Sequence, residues 1–375
     1  MAVVIQCTPV SQTEGYSTAT VQSAINRNGF GAFQLNPSLA ATLYKGFGTA
    51  VKAAGTTGTI VAAGGTAYPR FYVYFTAFPA SGDEEIASFS GSGGAYLGAL
   101  RIRSDGKLAT YDNGPTQLNV GSTVLSLNTW YRIECKVTFS ATGNFDVLLD
   151  GAAEITSGAV NVTTSAPVVF NVGKRYNRNS QGYTAYASDI LVSTSGYPGE
   201  GQGGILVPTG AGTYSAWTEG TGSTYAEVDD VLPNDGDTTY IASSIAGQAS
   251  TFAHQAFSVI GDVSSTINCV KAFAIVRDEG GSPTQGVRVR SGGGDYDATA
   301  ANFGTTYAGV QNILQNDPAT GLAWTVSGLD AAEIGVLQSS NAAARCTSCF
   351  LSVDFTPPTP TPPPEGSPLL GQIWV

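Results

Sequence analysis

Hydrophobic and polar positions alternate with a period of two through long stretches of the chain. Phe71, Val73 and Phe75 fall on one side of a run whose other side carries Arg70, Tyr72 and Tyr74. Further on, Tyr131, Ile133, Cys135, Val137 and Phe139 alternate with Arg132, Glu134, Lys136 and Thr138. This is the pattern of strands with one face in a core and one face outward. A turn at Thr142, Gly143 and Asn144 leads into Phe145, Val147 and Leu149, and that run stops at Asp150-Gly151. Asp105-Gly106 sits between two more alternating runs and predicts a hairpin with a type I′ turn. Residues 269–276 are almost continuously apolar, as a central strand buried on both faces would be. Residues 286–290 and 350–355 read as further strands, the latter as the last one. A short helix is predicted over residues 330–334, with Asp330 capping its first turn.

Between these elements the punctuation divides the chain. Around Tyr197, Pro198 and Gly199 the alternation gives way to a glycine-rich stretch, read as a linker over residues 197–208. The expected organisation is an N-terminal arm over residues 1–24, a first sandwich over 25–196, and a second over 209–355. A tail over 356–375 completes it. Its proline-rich start favours an extended polyproline II spacer. A short echo joins the two halves: Arg101, Ile102, Arg103 and Ser104 match Arg288, Val289, Arg290 and Ser291. The fold class is therefore all-β, two antiparallel, jelly-roll-like β-sandwiches plus an extended tail.

The run Leu127, Asn128, Thr129, Trp130, Tyr131, Arg132, Ile133, Glu134, followed after a hairpin by Val147, Leu148, Leu149, Asp150, Gly151, resembles the concanavalin A-like and laminin G-like jelly rolls. Ser188, Asp189, Ile190, Leu191 and Val192 look like a closing strand of that fold. The resemblance covers about residues 25–195 and implies a sandwich architecture without fixing an activity. The segments Tyr225 to Pro233 and Asp317 to Thr325 resemble β-rich modules of tailed-bacteriophage structural proteins. That resemblance implies a virion protein, most simply one that decorates or cements a capsid.

Composition supports the strand-rich reading and removes several functions. Only 12% of the 375 residues are charged against 42% hydrophobic, and 47 are glycine, which suits many short strands and tight turns. The net charge of −11 argues against nucleic-acid binding and against docking on an anionic membrane. The N-terminus carries no positively charged n-region, so no signal peptide is expected, and synthesis in a host cytoplasm followed by incorporation into a virion is.

The chemistry-bearing residues are few. Glycosidases of the concanavalin A-like fold need two carboxylates at close spacing. Glu227-Val228-Asp229 comes nearest, and Leu232 stands where the second glutamate should be. Asp83, Glu84 and Glu85 read as a solvated turn, and His254, the single histidine, lies in no nucleophile motif. No enzymatic activity and no cofactor are therefore expected. Cys346 and Cys349 form a lone C-x-x-C, read as packed thiols rather than half of a zinc site. Asp229, Asp230, Asp235 and Asp237 crowd one loop as weak calcium candidates, against the reading of an ordinary Asp-rich turn. Tyr72, Tyr74 and Tyr111 are candidates for stacking on sugar rings, as is Tyr176 with Asn177 and Arg178 beside it. Leu369, Leu370, Ile373, Trp374 and Val375 are the candidate partner contacts, since Trp and large aliphatics commonly anchor interfaces. The partners expected are other virion proteins, either a major capsid protein or copies of this chain in a homo-oligomer or symmetric array. The alternative is a lectin-like adhesin, on a virion or a cell surface, that binds glycans.

Overall fold

The computed structural model describes residues 3–7, 20–27, 30–35, 59–114, 116–173, 182–222, 224–230 and 236–359. Among them the strands form four antiparallel sheets, paired face to face. The first sheet has eight strands, in the order Ala152–Ile155, Phe145–Leu149, Trp130–Thr138, Thr66–Ala77, Thr184–Ser193, Phe30–Leu35, Thr20–Arg27. Val3–Cys7 completes it by pairing with the far end of Thr184–Ser193. The second sheet runs Pro167–Val172, Asp83–Gly91, Tyr96–Arg103, Leu108–Tyr111, Gln117–Val120. The alternation read from the sequence holds: Phe71, Val73, Phe75, Ile133, Cys135 and Val137 of the first sheet are buried against Ile86, Phe89, Leu100, Ile102 and Phe170 of the second. Phe89 is the hub, with ring centroids 4.9 Å from Phe170 and 5.0 Å from Phe139. Replacing a ring so enclosed by alanine costs about 3–5 kcal/mol.

The third sheet runs Glu219–Gly220, Ile241–Ser243, Ala344–Thr356, Thr266–Asp278, Ala308–Leu314, with Gln202–Leu206 also pairing with Ala344–Thr356. Glycine-rich residues 202–206, read from sequence as linker, are thus an element of a sheet. The fourth runs Pro208–Ser215, Ala249–His254, Glu333–Gln338, Gln285–Ser291, Gly294–Asp297. Val270, Ala272, Ala274 and Val276 pack inward against Phe252, Val287, Val289, Ile334 and Val336. The opposite face of the same strand is also covered, by Ile205 and Phe350 over Phe273 and Ile275. That double burial explains its nearly continuous apolar sequence.

Three local expectations change. The turn at Asp105-Gly106 is not type I′: Gly106 has φ +77° while Asp105 is not among the residues of positive φ. The Gly106 N–H donates to Arg103 O at 3.0 Å, and the Arg103 N–H to Lys107 O at 2.9 Å. This is the three-residue loop in which a type I turn is followed by a left-handed glycine. The I′ geometry appears instead at Asp150 and Gly151, with φ of +51° and +87°. The short helix spans Val326–Asp330 and is capped by Thr325, whose hydroxyl accepts from the Gly328 N–H at 3.0 Å. Asp330 ends that helix, and its carboxylate accepts from the Phe257 N–H at 2.7 Å.

Candidate functional site

The outer face of the first sheet carries a row of ring and polar side chains across neighbouring strands. Because side chains alternate, Tyr68, Arg70, Tyr72 and Tyr74 of one strand share that face with Trp130, Arg132, Glu134 and Lys136 of the next. The register sets Tyr74 opposite both Trp130 and Tyr186 on its two neighbours. The Tyr74 and Trp130 ring centroids are 5.4 Å apart, and those of Tyr74 and Tyr186 6.3 Å. All three rings are half-buried. They form one rung across three strands, about 10 Å wide at the usual strand spacing. The Tyr74 hydroxyl donates to Asn128 Oδ1 at 3.4 Å. Asn128 itself holds φ +59° in the turn that presents exposed Leu127 beside the rung.

The middle of the face is closed. Tyr72 is 6% exposed: the Arg27 guanidinium stacks 3.3 Å from its ring centroid, and its hydroxyl accepts from the Gly201 N–H at 3.3 Å. Arg70, wholly buried, forms an ion pair with Asp354 of the second sandwich. The Asp354 carboxylate also accepts from Asn268 Nδ2 at 2.8 Å. Gly199 joins in through its N–H, donated to Glu134 Oε1 at 2.6 Å, and its carbonyl, 3.5 Å from Arg70. Asp189 pairs with Arg27 and accepts from the Gly203 N–H at 2.8 Å. Burial pulls the Arg70 pKa down, but the charge and hydrogen bond of Asp354 outweigh it, so the guanidinium stays charged. Burial pushes the Asp189 carboxyl up, opposed by the charges of Arg27 and Arg70. Gly201 cannot be replaced without movement here: a Cβ would lie 2.3 Å from the Arg70 guanidinium.

The other sequence candidates fall elsewhere. Tyr111, expected to be exposed, is 4% exposed in the second sheet, under the Arg101 guanidinium at 3.8 Å. Arg101 also pairs with Asp83 at 2.8 Å, and its counterpart in the echo, Arg288, pairs with Asp297 at 2.7 Å beside the Tyr214 ring. Burial and the Asp83 hydrogen bond push the Tyr111 phenol up to about 12. Tyr72 and Tyr111 therefore offer no open ring face, and of the three tyrosines only Tyr74 does.

Asp237, a calcium candidate, accepts from Arg277 and Arg345, each at 2.9 Å, and from Tyr307 at 2.7 Å. Two guanidiniums occupy the position a cation would take. Asp229 is bridged through its backbone to Ser348, and the Asp230 carbonyl accepts from the Ser348 hydroxyl at 2.7 Å. Asp235 lies outside the described residues, as do Tyr176, Asn177, Arg178 and the tail residues Leu369, Leu370, Ile373, Trp374 and Val375.

Cys346 and Cys349 are buried free thiols in the second core. A register shift between Ile275 and Val276 of the partner strand, which skips Thr347, turns both to the same face. Burial pushes both thiols up, Cys346 to about 12 and Cys349 well above its usual value, which disfavours the thiolate form. Among the described residues no group of three or more His, Cys, Asp or Glu is arranged to hold a metal. Trp130 and Tyr186 were missed as site residues. The signal was present, since Thr184, Tyr186 and Ser188 alternate with Ala185 and Ala187.

No family model and no curated protein sequence matches the chain. Solved structures similar to it include an endo-β-1,4-glucuronan lyase from the fungus Trichoderma reesei, 14% identical over 52% of this chain and 96% of that one, with a TM-score of 0.35. The cellulose-induced protein Cip1 is 14% identical over 53% of this chain and 94% of its own, also at 0.35. A Trypanosoma rangeli sialidase is 17% identical over 35% of this chain and 21% of that one, at 0.28. The chain thus spans about a fifth of the sialidase. At these TM-scores the likenesses add nothing to the antiparallel β-sandwich architecture that the sheets themselves show. The expectation that the chain is not an enzyme is corrected: enzymes acting on glycans stand among its structural neighbours, so the lack of a familiar carboxylate motif does not exclude catalysis. Likeness at this level assigns no activity either.

Proposed function

We propose that the chain is a surface-displayed attachment protein that binds carbohydrate through the outer face of its first sandwich. The observation that carries this reading is the rung of Trp130, Tyr74 and Tyr186. A pyranose presents a face of C–H bonds, and the negative face of an aromatic ring attracts such weakly positive edges while shielding apolar area from water. Three half-buried rings in one row, fixed by strand register, need no reordering before a sugar stacks on them. Asn128 and the tyrosine hydroxyls supply hydrogen bonds at the rim. The test is a saccharide array probed with the full chain: saturable binding competed by the free saccharide is expected, and an array without competable binding overturns the reading.

The buried Arg70–Asp354 pair favours a second reading, a structural component of a virus particle such as a tailed-bacteriophage decoration protein. A charged pair sealed between two sandwiches opposes hinge motion, which suits a part built into a regular array. In that reading residues 369–375 are the contact to a neighbouring subunit. Deletion of residues 356–375 would then leave both sandwiches folded and abolish incorporation, and normal incorporation of the truncated chain would remove it.

A further inference from the structure

A second feature on the same sheet lies beyond the closed middle. The turns joining Trp130–Thr138 to Phe145–Leu149 and leading out of Ala152–Ile155 enclose an open cleft of about 410 Å³, lined by Thr138, Thr142, Asn144, Asp146, Thr156 and the backbone of Gly158. That volume is within the range of small-ligand sites. Hydroxyl, amide and carboxylate groups line it together with Gly143, Ala159 and a good share of apolar carbon surface, and Asp146 is the one carboxylate among the lining residues. Asp146 is fixed in place: its Oδ1 accepts from the Ser157 N–H at 2.9 Å and the Ser157 hydroxyl at 3.1 Å, and its Oδ2 from Asn144 Nδ2 at 2.6 Å. A carboxylate offers about four acceptor positions, so about one remains for a ligand hydroxyl. Lys136 stands directly across from Asp146 in the register. Two aromatic rings adjoin this end of the face. Tyr68 precedes Arg70 on its strand, and Tyr197, which is 37% exposed, packs edge-on against it at 5.4 Å. Ala67 lies opposite Val137 and Arg70 opposite Glu134, which puts Tyr68 on the stretch of strand beside Lys136.

We propose that this cleft is a second saccharide subsite, one that takes the hydroxyl edge of an uncharged hexose against Asp146 and the threonine hydroxyls, with Tyr197 at its rim. The inference rests on the carbohydrate reading of this sheet and deepens it. A fixed acceptor with vacant capacity, hydroxyls that both donate and accept, and an adjoining ring together match a neutral polyol. Asp146 and the Lys136 opposite it offset each other in charge, so the cleft offers no net attraction to an anionic sugar. From Tyr74 to Thr66, the strand residue hydrogen-bonded to Thr138 at 2.9 Å, the strand runs roughly 26 Å at ~3.3 Å per residue, with the buried joint between the two ends. One monosaccharide cannot touch both, so the two ends answer separately to mutation.

The experiment is calorimetric titration of the full chain with glucose, galactose, mannose and N-acetylglucosamine, with glucuronate as the anionic control. Asp146→Asn, Thr156→Val and Trp130→Ala are compared with the unaltered chain. Thr156 is exposed and makes no described core contact, so its variant remains informative if Asp146→Asn fails to fold. The expected result is saturable binding of at least one neutral hexose that survives Trp130→Ala. Asp146→Asn weakens it about tenfold and Thr156→Val by a smaller factor, with glucuronate silent. Neutral-hexose binding lost in Trp130→Ala but untouched in both cleft variants overturns the second subsite and leaves the aromatic rung standing. Preference for glucuronate overturns the assignment of ligand class. No saturable binding of any sugar, in any form of the chain, overturns both.

Discussion

At the scale of single residues, His254 shows how a buried group makes the fold sensitive to pH. Its Nδ1 lies 2.8 Å from the Gln255 carbonyl and its Nε2 3.1 Å from the Leu329 carbonyl. Both are acceptors, and both favour a protonated ring. Burial works the other way and is the larger effect, so the His254 pKa falls below its usual value of 6.5. The folded chain therefore binds fewer protons than the unfolded one just below that pH, and folding stability decreases as pH drops from 7 toward 5. Chemical denaturation across this window is expected to show that loss, and His254→Gln to flatten it. An unchanged slope in the variant contradicts the assignment. The depressed acids Glu333 and Asp237 titrate lower, from usual values of 4.5 and 3.8, so their loss of stabilisation on acidification falls in a separate window.

At the scale of elements, what the sequence made legible was whichever pattern is local. Alternation in residues 130–139 marked the inward face because strand geometry alone enforces it. Turn type was harder. Asp105-Gly106 and Asp150-Gly151 are the same dipeptide, yet one forms a type I turn with a left-handed glycine and the other a type I′ turn, because loop length and flanking register select between them. Cys346 and Cys349 were read from the sequence as packed thiols, without the reason for their shared face. The bulge at Thr347, invisible in spacing, turns them both into the core. Gly106, with φ +77° and a would-be Cβ 3.0 Å from Phe78, is expected to lose about 1–2 kcal/mol on change to alanine. Asp105→Ala is expected to lose less, and denaturant midpoints of the two variants decide the order.

At the scale of the whole molecule, the two sandwiches meet through groups that the sequence marked as outward and solvated. Arg70 and Glu134 do point outward from the first sheet, but the second sandwich and residues 199–203 cover them. Nothing in the sequence pairs Arg70 with Asp354, which are 284 positions apart. For the same reason Tyr72 was read as an open ring while Tyr74, two residues on, is one. Removing one partner of a buried pair leaves an unmatched charge, so Arg70→Ala is expected to cost about 3–5 kcal/mol. Arg70→Met combined with Asp354→Leu is expected to recover most of it, and thermal unfolding of the three chains measures both. The joint leaves the aromatic rung at one end of the sheet as the face the molecule presents. The most direct measurement of the account's claim is the affinity of the full chain for its best array saccharide, by calorimetry, beside that of Trp130→Ala and Tyr74→Ala. The account predicts at least about a tenfold loss in each, about 1.4 kcal/mol, with unfolding temperatures little changed. Equal affinity in all three chains would contradict it.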